Sequence, residues 1–345
     1  MKHTKKFLTV LMIAMMLCTL FATNAFAVAV AQPQGFDITK NLTVPEGAAV
    51  PKETFNFTVT PKEDVTEGYN EELKVNVYKG VNLGNEADQT IASEALQKQG
   101  TEKGNDTFSA KTFVGLTQTT FDKTGVYVYT VKETAGTTPG MTYSKKEYTV
   151  YVYVGKDKNI IAVKAYDNEN TAEKKPIVFD NAFTTKSLTV TKTVEGNMGD
   201  TEKKFDFTLD VTGCDQLPEG SAIAATINRS NGSTENDTVT VGTQFTFQLA
   251  HGDSLVVSNL PINVAYKVAE SDYSGEGYTT TMNDETTLEK ESTMRDVDTV
   301  AVVNTNGTTI DTGVMIDFAP YVLIFIVAVG AAVMFIRKRK TSTEE

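Results

Sequence analysis

The sequence predicts an all-β protein, built as two tandem β-sandwich domains between a secretory leader and a C-terminal apolar segment. Three observations carry this. Threonine supplies roughly one residue in seven, and Thr favours strands. Short runs alternate apolar and polar residues with period two, the pattern of half-buried strands. The same order of runs occurs twice along 345 residues, a length that accommodates two or three cores.

The N-terminus comes first. Lys2, Lys5 and Lys6 precede an apolar run from Phe7 to Phe21, and Ala25 and Ala27 then flank Phe26. This is the layout of a signal peptide, residues 1–27, cleaved after Ala27, with Ala29 as second choice. Leu17 is too bulky for Cys18 to serve as a lipoprotein anchor.

The first unit, residues 36–183, opens with Phe36-Asp37-Ile38-Thr39-Lys40-Asn41-Leu42-Thr43-Val44. The second, residues 186–306, opens with Leu188-Thr189-Val190-Thr191-Lys192-Thr193-Val194. Phe55-Asn56-Phe57-Thr58-Val59 is answered by Phe205-Asp206-Phe207-Thr208-Leu209, and Tyr129-Thr130-Val131-Lys132-Glu133 by Tyr266-Lys267-Val268-Ala269-Glu270. The units close on Ile177-Val178-Phe179-Asp180-Asn181 and Val300-Ala301-Val302-Val303-Asn304. This is an internal repeat. The first copy carries a longer polar insert around Asn82 to Asn105, in which Ile91 to Lys98 reads as a short peripheral helix. Turn signals such as Gly84-Asn85, Thr124-Gly125 and Asn231-Gly232 punctuate the strands. Only Thr184 to Ser187 separate the units, so a rather stiff end-to-end arrangement is expected.

At the C-terminus, Thr309-Ile310-Asp311-Thr312-Gly313 precedes a mostly apolar stretch, 318–336. That stretch is long enough to span a bilayer, and the basic tail 337–345, opening Arg337-Lys338-Arg339-Lys340, should stay cytoplasmic. A plain single-pass anchor would explain both. The order of x-x-x-Thr-Gly, apolar span and basic tail also resembles the cell-wall sorting signal of Gram-positive surface proteins. The resemblance implies sortase cleavage between Thr312 and Gly313 within the motif 309–313. Thr309 and Ile310 stand where that signal has Leu and Pro, which leaves the sortase class open.

Composition narrows the function. The chain carries net charge −12. The leader contributes three lysines, and residues 313–345 contribute four cations against three acids, so residues 28–312 carry −16. Such a surface repels nucleic acid. Beyond the leader only His251 and Cys214 remain of the two histidines and two cysteines. This argues against a multi-ligand His/Cys metal site and against a disulfide framework, and no cofactor is expected.

Strand parity then singles out six polar residues. Lys40 shares a face with Phe36, Ile38, Leu42 and Val44, and Lys192 with Leu188, Val190 and Val194. Glu133 falls with Tyr127, Tyr129 and Val131, and Glu270 with Val264, Tyr266 and Val268. Asn181 falls with Ile177, Phe179 and Phe183, and Asn304 with Val300 and Val302. Each unit is thus predicted to bury one Lys, one Glu and one Asn. A structural ion pair capped by Asn would account for one such trio, but buried pairs rarely improve on apolar packing. A desolvated Lys becomes a neutral nucleophile and a buried Glu a carboxylic acid. An adjacent Asn carboxamide could then accept the amine and lose ammonia, giving an isopeptide bond between the first and last strands.

Leader, paired Lys–Glu–Asn sandwiches and sorting signal together resemble the major (backbone) pilins of Gram-positive bacteria, in particular the FctA type. The resemblance covers essentially the whole chain. It implies Ig-like (CnaB/FctA-type) folds and self-formed crosslinks Lys40–Asn181 and Lys192–Asn304, with Glu133 and Glu270 as acid/base groups. The second unit departs in one place: Val302 stands where Phe179 precedes Asn181 by two. The resemblance also implies a secreted, peptidoglycan-anchored pilus subunit, not an enzyme. Its partners would be a sortase, neighbouring copies of the same subunit and accessory pilins. In that family an acceptor Lys lies shortly before the closing strand of the first domain. Lys174 matches that position, with Lys175 as second choice; beside Glu173 either could also be an ordinary surface charge.

Two other readings stay open at this stage. One is a non-polymerising wall-anchored adhesin or stalk. The other is an extracellular hydrolase using His251-Gly252-Asp253, although a lone His in a Gly-containing turn is usually a surface residue.

Overall fold

A computed structural model of the chain describes residues 34–295 and 298–307. The expected leader (1–27), the Thr312–Gly313 motif, the apolar segment 318–336 and the basic tail lie outside the described residues.

The first unit contains β1 (Gly35–Pro45), β2 (Thr54–Pro61), β3 (Gly68–Asn70), β4 (Val75–Lys79), β5 (Asp88–Ala92), β6 (Gln97–Glu102) and β7 (Asn105–Gly115). It continues with β8 (Gly125–Thr134), β9 (Met141–Thr142), β10 (Glu147–Val154), β11 (Ile160–Asp167), β12 (Asn170–Lys174) and β13 (Ile177–Phe183). One sheet has the order β6-β7-β1-β13-β9, and the other β12-β11-β10-β8-β2-β5 with β3 and β4 appended. The second unit contains β14 (Lys186–Glu195), β15 (Phe205–Val211), β16 (Ala222–Asn228), β17 (Thr234–Thr240) and β18 (Phe245–Leu249). It ends with β19 (Ser254–Leu260), β20 (Ala265–Glu270), β21 (Thr279–Met282), β22 (Glu289–Thr293) and β23 (Asp298–Thr305). Its sheets run β17-β16-β19-β14-β23-β21 and β18-β15-β20-β22.

In each unit the first and last strands pair side by side and parallel. Lys40 lies opposite Phe179 and Leu42 opposite Asn181. In the second unit Lys192 lies opposite Val302 and Val194 opposite Asn304. The offset between Lys and Asn is therefore two residues in both. Period-two patterning explains the rest of the packing. Ile38, Leu42 and Val44 of β1 point inward with Phe55, Phe57, Tyr129, Val131 and Phe179. Leu188, Val190, Phe205, Phe207, Val268 and Val300 form the second core. Each such side chain contributes roughly 1.5–3 kcal/mol on burial, and together they offset the desolvation of one ion pair per unit, which costs several kcal/mol per ion.

The polar insert does not form a helix over Ile91–Lys98. Ile91 pairs with Phe55 across β5 and β2, a single 3₁₀ turn covers Ser93–Ala95, and β6 then pairs with β7. Nor is the segment wholly peripheral, because Ile91 and Leu96 are buried in the first core. A second departure lies in β8. Its outer face is buried as well, with Val126 and Val128 clustered with Val77 and Tyr153. Val65 and Leu73, from the chain between β2 and β4, pack against this cluster, and β4 joins the sheet by parallel pairing with β8 from Val77 to Lys79, just where β2 leaves it after Pro61.

The units are joined tightly. Only Thr184 and Thr185 separate β13 from β14. Asn259, held at a positive φ of 63°, donates through Nδ2 to the Glu46 carbonyl at 3.0 Å and accepts from the Thr185 hydroxyl at 3.2 Å. Ala49 of the first unit packs against the core of the second.

Candidate functional site

The first trio is assembled from three strands of two sheets. β1 and β13 bring Lys40 and Asn181 from one sheet, and β8 brings Glu133 from the other. Lys40 is fully buried, with Glu133 at 8% and Asn181 at 3% exposure. Lys40 Nζ lies 3.0 Å from both carboxylate oxygens of Glu133. Asn181 Nδ2 donates to Glu133 Oε1 at 2.8 Å, while its Oδ1 accepts from the Ser144 backbone N–H at 2.8 Å. Aromatic rings wall the trio from water. Lys40 Nζ sits 4.7 Å from the centre of the Phe55 ring, and Phe57 and Tyr148 both pack on Phe179. A ring face partly replaces the water an ammonium loses on burial.

The second trio repeats this. Lys192 is 1% exposed, Glu270 4% and Asn304 fully buried. Lys192 Nζ lies 2.7 Å from Glu270 Oε1, and Asn304 Nδ2 donates to the same oxygen at 3.1 Å. Phe205 takes the place of Phe55, its ring centre 4.1 Å from Lys192 Nζ. The glutamates also match in register: Glu133 is opposite Phe57, and Glu270 is opposite Phe207.

Burial dominates the electrostatics. Desolvation pulls the Lys40 amine down to about 8, against the opposing pull of Glu133. The Lys192 amine is likewise drawn down to about 8, opposed by Glu270. Desolvation pushes both glutamates above the usual carboxylate range, with the adjacent lysines pulling the other way. The proton that an ordinary surface pair leaves on nitrogen is thus shared more evenly between Lys and Glu. An amine that can be neutral, a carboxyl that can be an acid and a carboxamide touching that carboxyl are the three components of an amide exchange.

The other residues singled out from sequence fall elsewhere. Lys174, at the end of β12, is exposed, whereas Lys175 is half-buried and its backbone N–H donates to the Ala165 carbonyl. Both border a groove of about 400 Å³, floored by Phe36, Val163, Ala165 and Ile177. His251 accepts from the Val194 N–H through Nδ1 at 2.9 Å. Asp253 takes the Arg229 guanidinium and the backbone N–H groups of Ser230 and Ala250. The pair therefore serves strand ends and a turn, and Asp253 orients Arg229, not a catalytic imidazole. Two participants lay outside the sequence reading. One is Ser144, which acts through its backbone. The other is Thr280, whose hydroxyl donates to Glu270 Oε2 at 3.0 Å.

Comparison with known proteins fits this geometry. Residues 36–184 match the family model FctA, described as the Spy0128-like isopeptide containing domain. Residues 186–306 match a domain of unknown function, DUF7601. The chain is 29% identical over 334 residues to a pilin of Streptococcus pyogenes serotype M1, covering 92% of this chain and 94% of that one. The crystal structure of the major pilin from Streptococcus pyogenes superposes with TM-score 0.67 at 26% identity, over 80% of this chain and 99% of that one. The T-13 major pilin of the same species gives TM-score 0.62 at 27% identity, over 80% of this chain and 97% of that one.

Proposed function

We propose that this chain, a homologue of the Gram-positive major pilins, is the repeating structural subunit of a covalently linked surface pilus. Each of its domains seals itself with a Lys–Asn isopeptide bond. The observation that carries this is the twofold occurrence of a buried Lys–Glu–Asn trio with one register offset and one aromatic wall.

The chemistry follows from the groups in contact. A proton passes from Lys40 Nζ to Glu133, leaving a neutral amine and a carboxylic acid. The amine attacks Cγ of Asn181, so that an Nζ–Cγ bond forms and the Cγ–Nδ2 bond breaks. One amine proton reaches the departing nitrogen through the carboxyl, ammonia leaves, and Glu133 is left as the carboxylic acid formed in the first step, beside a neutral amide. Lys192, Glu270 and Asn304 repeat these steps. Exclusion of water protects the intermediate from hydrolysis and strengthens each electrostatic contact.

Assembly would use the ends of the subunit. A sortase cuts between Thr312 and Gly313 and passes the Thr312 carbonyl to a Lys amine on the next copy, and the last subunit is passed to peptidoglycan. Lys174 is the preferred acceptor because it is exposed at the rim of a groove, while Lys175 is half-buried and tied by its backbone. Accessory pilins would join through the same linkage.

Intact mass tests the crosslinks: residues 28–312 should weigh less than their sequence mass by two ammonia losses, and a full unmodified mass after folding would sink the proposal. For assembly, Lys174→Ala should leave folding intact and abolish high-mass ladders in cell-wall extracts. Ladders that persist move the acceptor to Lys175 or elsewhere. Absence of ladders from unaltered cells would favour a non-polymerising wall-anchored stalk or adhesin.

A further inference from the structure

The trios agree in three residues and differ in a fourth group, which in both domains comes from the edge strand beside the closing strand. In domain 1 that edge is β9, paired to β13 at Thr142 and Ala182. The chain just beyond it aims the Ser144 N–H at Asn181 Oδ1. This contact fixes which end of the carboxamide faces Glu133. It also places a hydrogen-bond donor on the oxygen that gains negative charge when Cγ is attacked, as oxyanion donors do in acyl transfer.

Domain 2 is built differently. Here β21 lies against β23 with Thr280 directly opposite Asn304, and Thr280 is itself buried. Its hydroxyl goes to Glu270 Oε2, while Lys192 and Asn304 both converge on Oε1. Asn304 Oδ1 is buried and has no hydrogen-bond partner among the described residues. No donor among the described residues therefore holds that carbonyl away from Glu270.

We propose that Thr280 is a positioning residue for Glu270, dedicating one carboxyl oxygen to the hydroxyl so that the other carries the exchanging proton between Lys192 and Asn304. A hydroxyl donating to Oε2 favours the carbonyl form of that oxygen and places the acid O–H on Oε1. Oε1 then takes a proton from Lys192 Nζ and donates to Asn304 Oδ1 as the Nζ–Cγ bond forms. When the Cγ–Nδ2 bond breaks, that proton goes out with ammonia, and Oε1 takes a second proton from the Lys192 nitrogen, so that a neutral amide is left beside a neutral Glu270 carboxyl. The second junction thus relies on a side-chain pair for what the first obtains partly from the backbone. This inference rests on the Lys–Asn condensation proposed above.

The test uses full chains carrying Thr280→Val, Thr280→Ser, Thr280→Ala or no change. Peptide mapping at timed intervals after refolding reads the Lys192–Asn304 and Lys40–Asn181 junctions separately. Loss of one hydrogen bond to a carboxyl should slow the second junction roughly ten- to a hundredfold in the Val and Ala variants. The Ser variant, which retains the hydroxyl, should close near the unaltered rate, and the first junction should be unaffected in every variant. Closure at the unaltered rate in Val and Ala overturns the role of Thr280. So does equal slowing in Ser and Ala, which would make the methyl group and its packing responsible. If the unaltered chain forms neither junction, the condensation itself fails and this inference falls with it.

Discussion

The two domains hold the same buried trio of groups with different supports. What they share is a lysine and an asparagine two register positions apart on paired parallel strands, a glutamate from the facing sheet and an aromatic ring over the amine. What differs is the edge strand. The first domain offers a main-chain N–H to the asparagine carbonyl, and the second offers a threonine hydroxyl to the glutamate. The proposed condensation requires its three groups within hydrogen-bond reach, which constrains strands and register together. The supporting donor needs only to touch either end of the network, so it can come from whatever the neighbouring strand presents.

That comparison can be broken most forcefully at the lysines. Lys40→Ala should remove the covalent tie, worth roughly 4–5 kcal/mol for a loop on the order of 100 residues in the chain-entropy model. It should also empty the buried space that the Lys40 stem fills beneath the Phe55 ring, at a further cost of about 2–5 kcal/mol. Calorimetry should show the first domain's transition collapse while the second holds, with Lys192→Ala giving the converse. Joint movement of both transitions would show that the domains do not stabilise themselves separately.

A smaller effect is expected at the glutamates. With Glu133 or Glu270 replaced by Ala, the remaining amine can stay neutral and tolerate burial. The loss is then chiefly that of the crosslink, roughly 4–5 kcal/mol. Each variant should retain one ammonia mass and become protease-sensitive in its own domain alone. Any residual closure should appear in the first domain, where the Ser144 N–H still touches the carbonyl. A Glu133→Ala chain that loses both ammonias at the normal rate would reduce Glu133 to a structural partner of Lys40.

The smallest change concerns the junction. Asn259→Ala removes one hydrogen bond to the first unit and one to the linker, worth about 1 kcal/mol each, without altering the number of ammonia losses. Small-angle scattering should report a wider spread of domain orientations, and cleavage near Thr184–Thr185 should quicken. An unchanged profile would assign the stiffness to Ala49 and to the backbone contact of Lys52 with Asp215.

Much of the site was legible because parity is a strong local signal. In β1 one face reads Ile38, Lys40, Leu42, Val44, and all four are buried. The same reasoning located Lys192, both glutamates and both asparagines on apolar faces. The helix expected over Ile91–Lys98 failed because pairing with β2 drew Ile91 into a strand, a long-range contact that local composition does not express. The doubly buried stretch of β8 escaped notice for a related reason: Val65 and Leu73, which pack on its outer cluster, are more than fifty residues away in sequence. Thr280 and Ser144 were illegible in principle. Strands as short as β9 and β21 carry almost no periodicity, and a backbone donor leaves no trace in residue type.

The parallel pairing of first and last strands has a mechanical consequence. Tension along the chain enters the second domain at one end of β14 and leaves at the opposite end of β23, so it loads that parallel pair in shear. Once Lys192 is joined to Asn304, force crosses that domain through a single amide and bypasses the chain between them. About 110 residues, which would span on the order of 370 Å if drawn out, are removed from the path of the pull, while in the first domain a pull on Lys174 would pass straight along β13, to which Lys40 ties β1. A fibre of such subunits would behave as a cable of fixed length. It would transmit load to its anchor without unspooling, and its core strands would be left free to carry loops and insertions that never feel the strain.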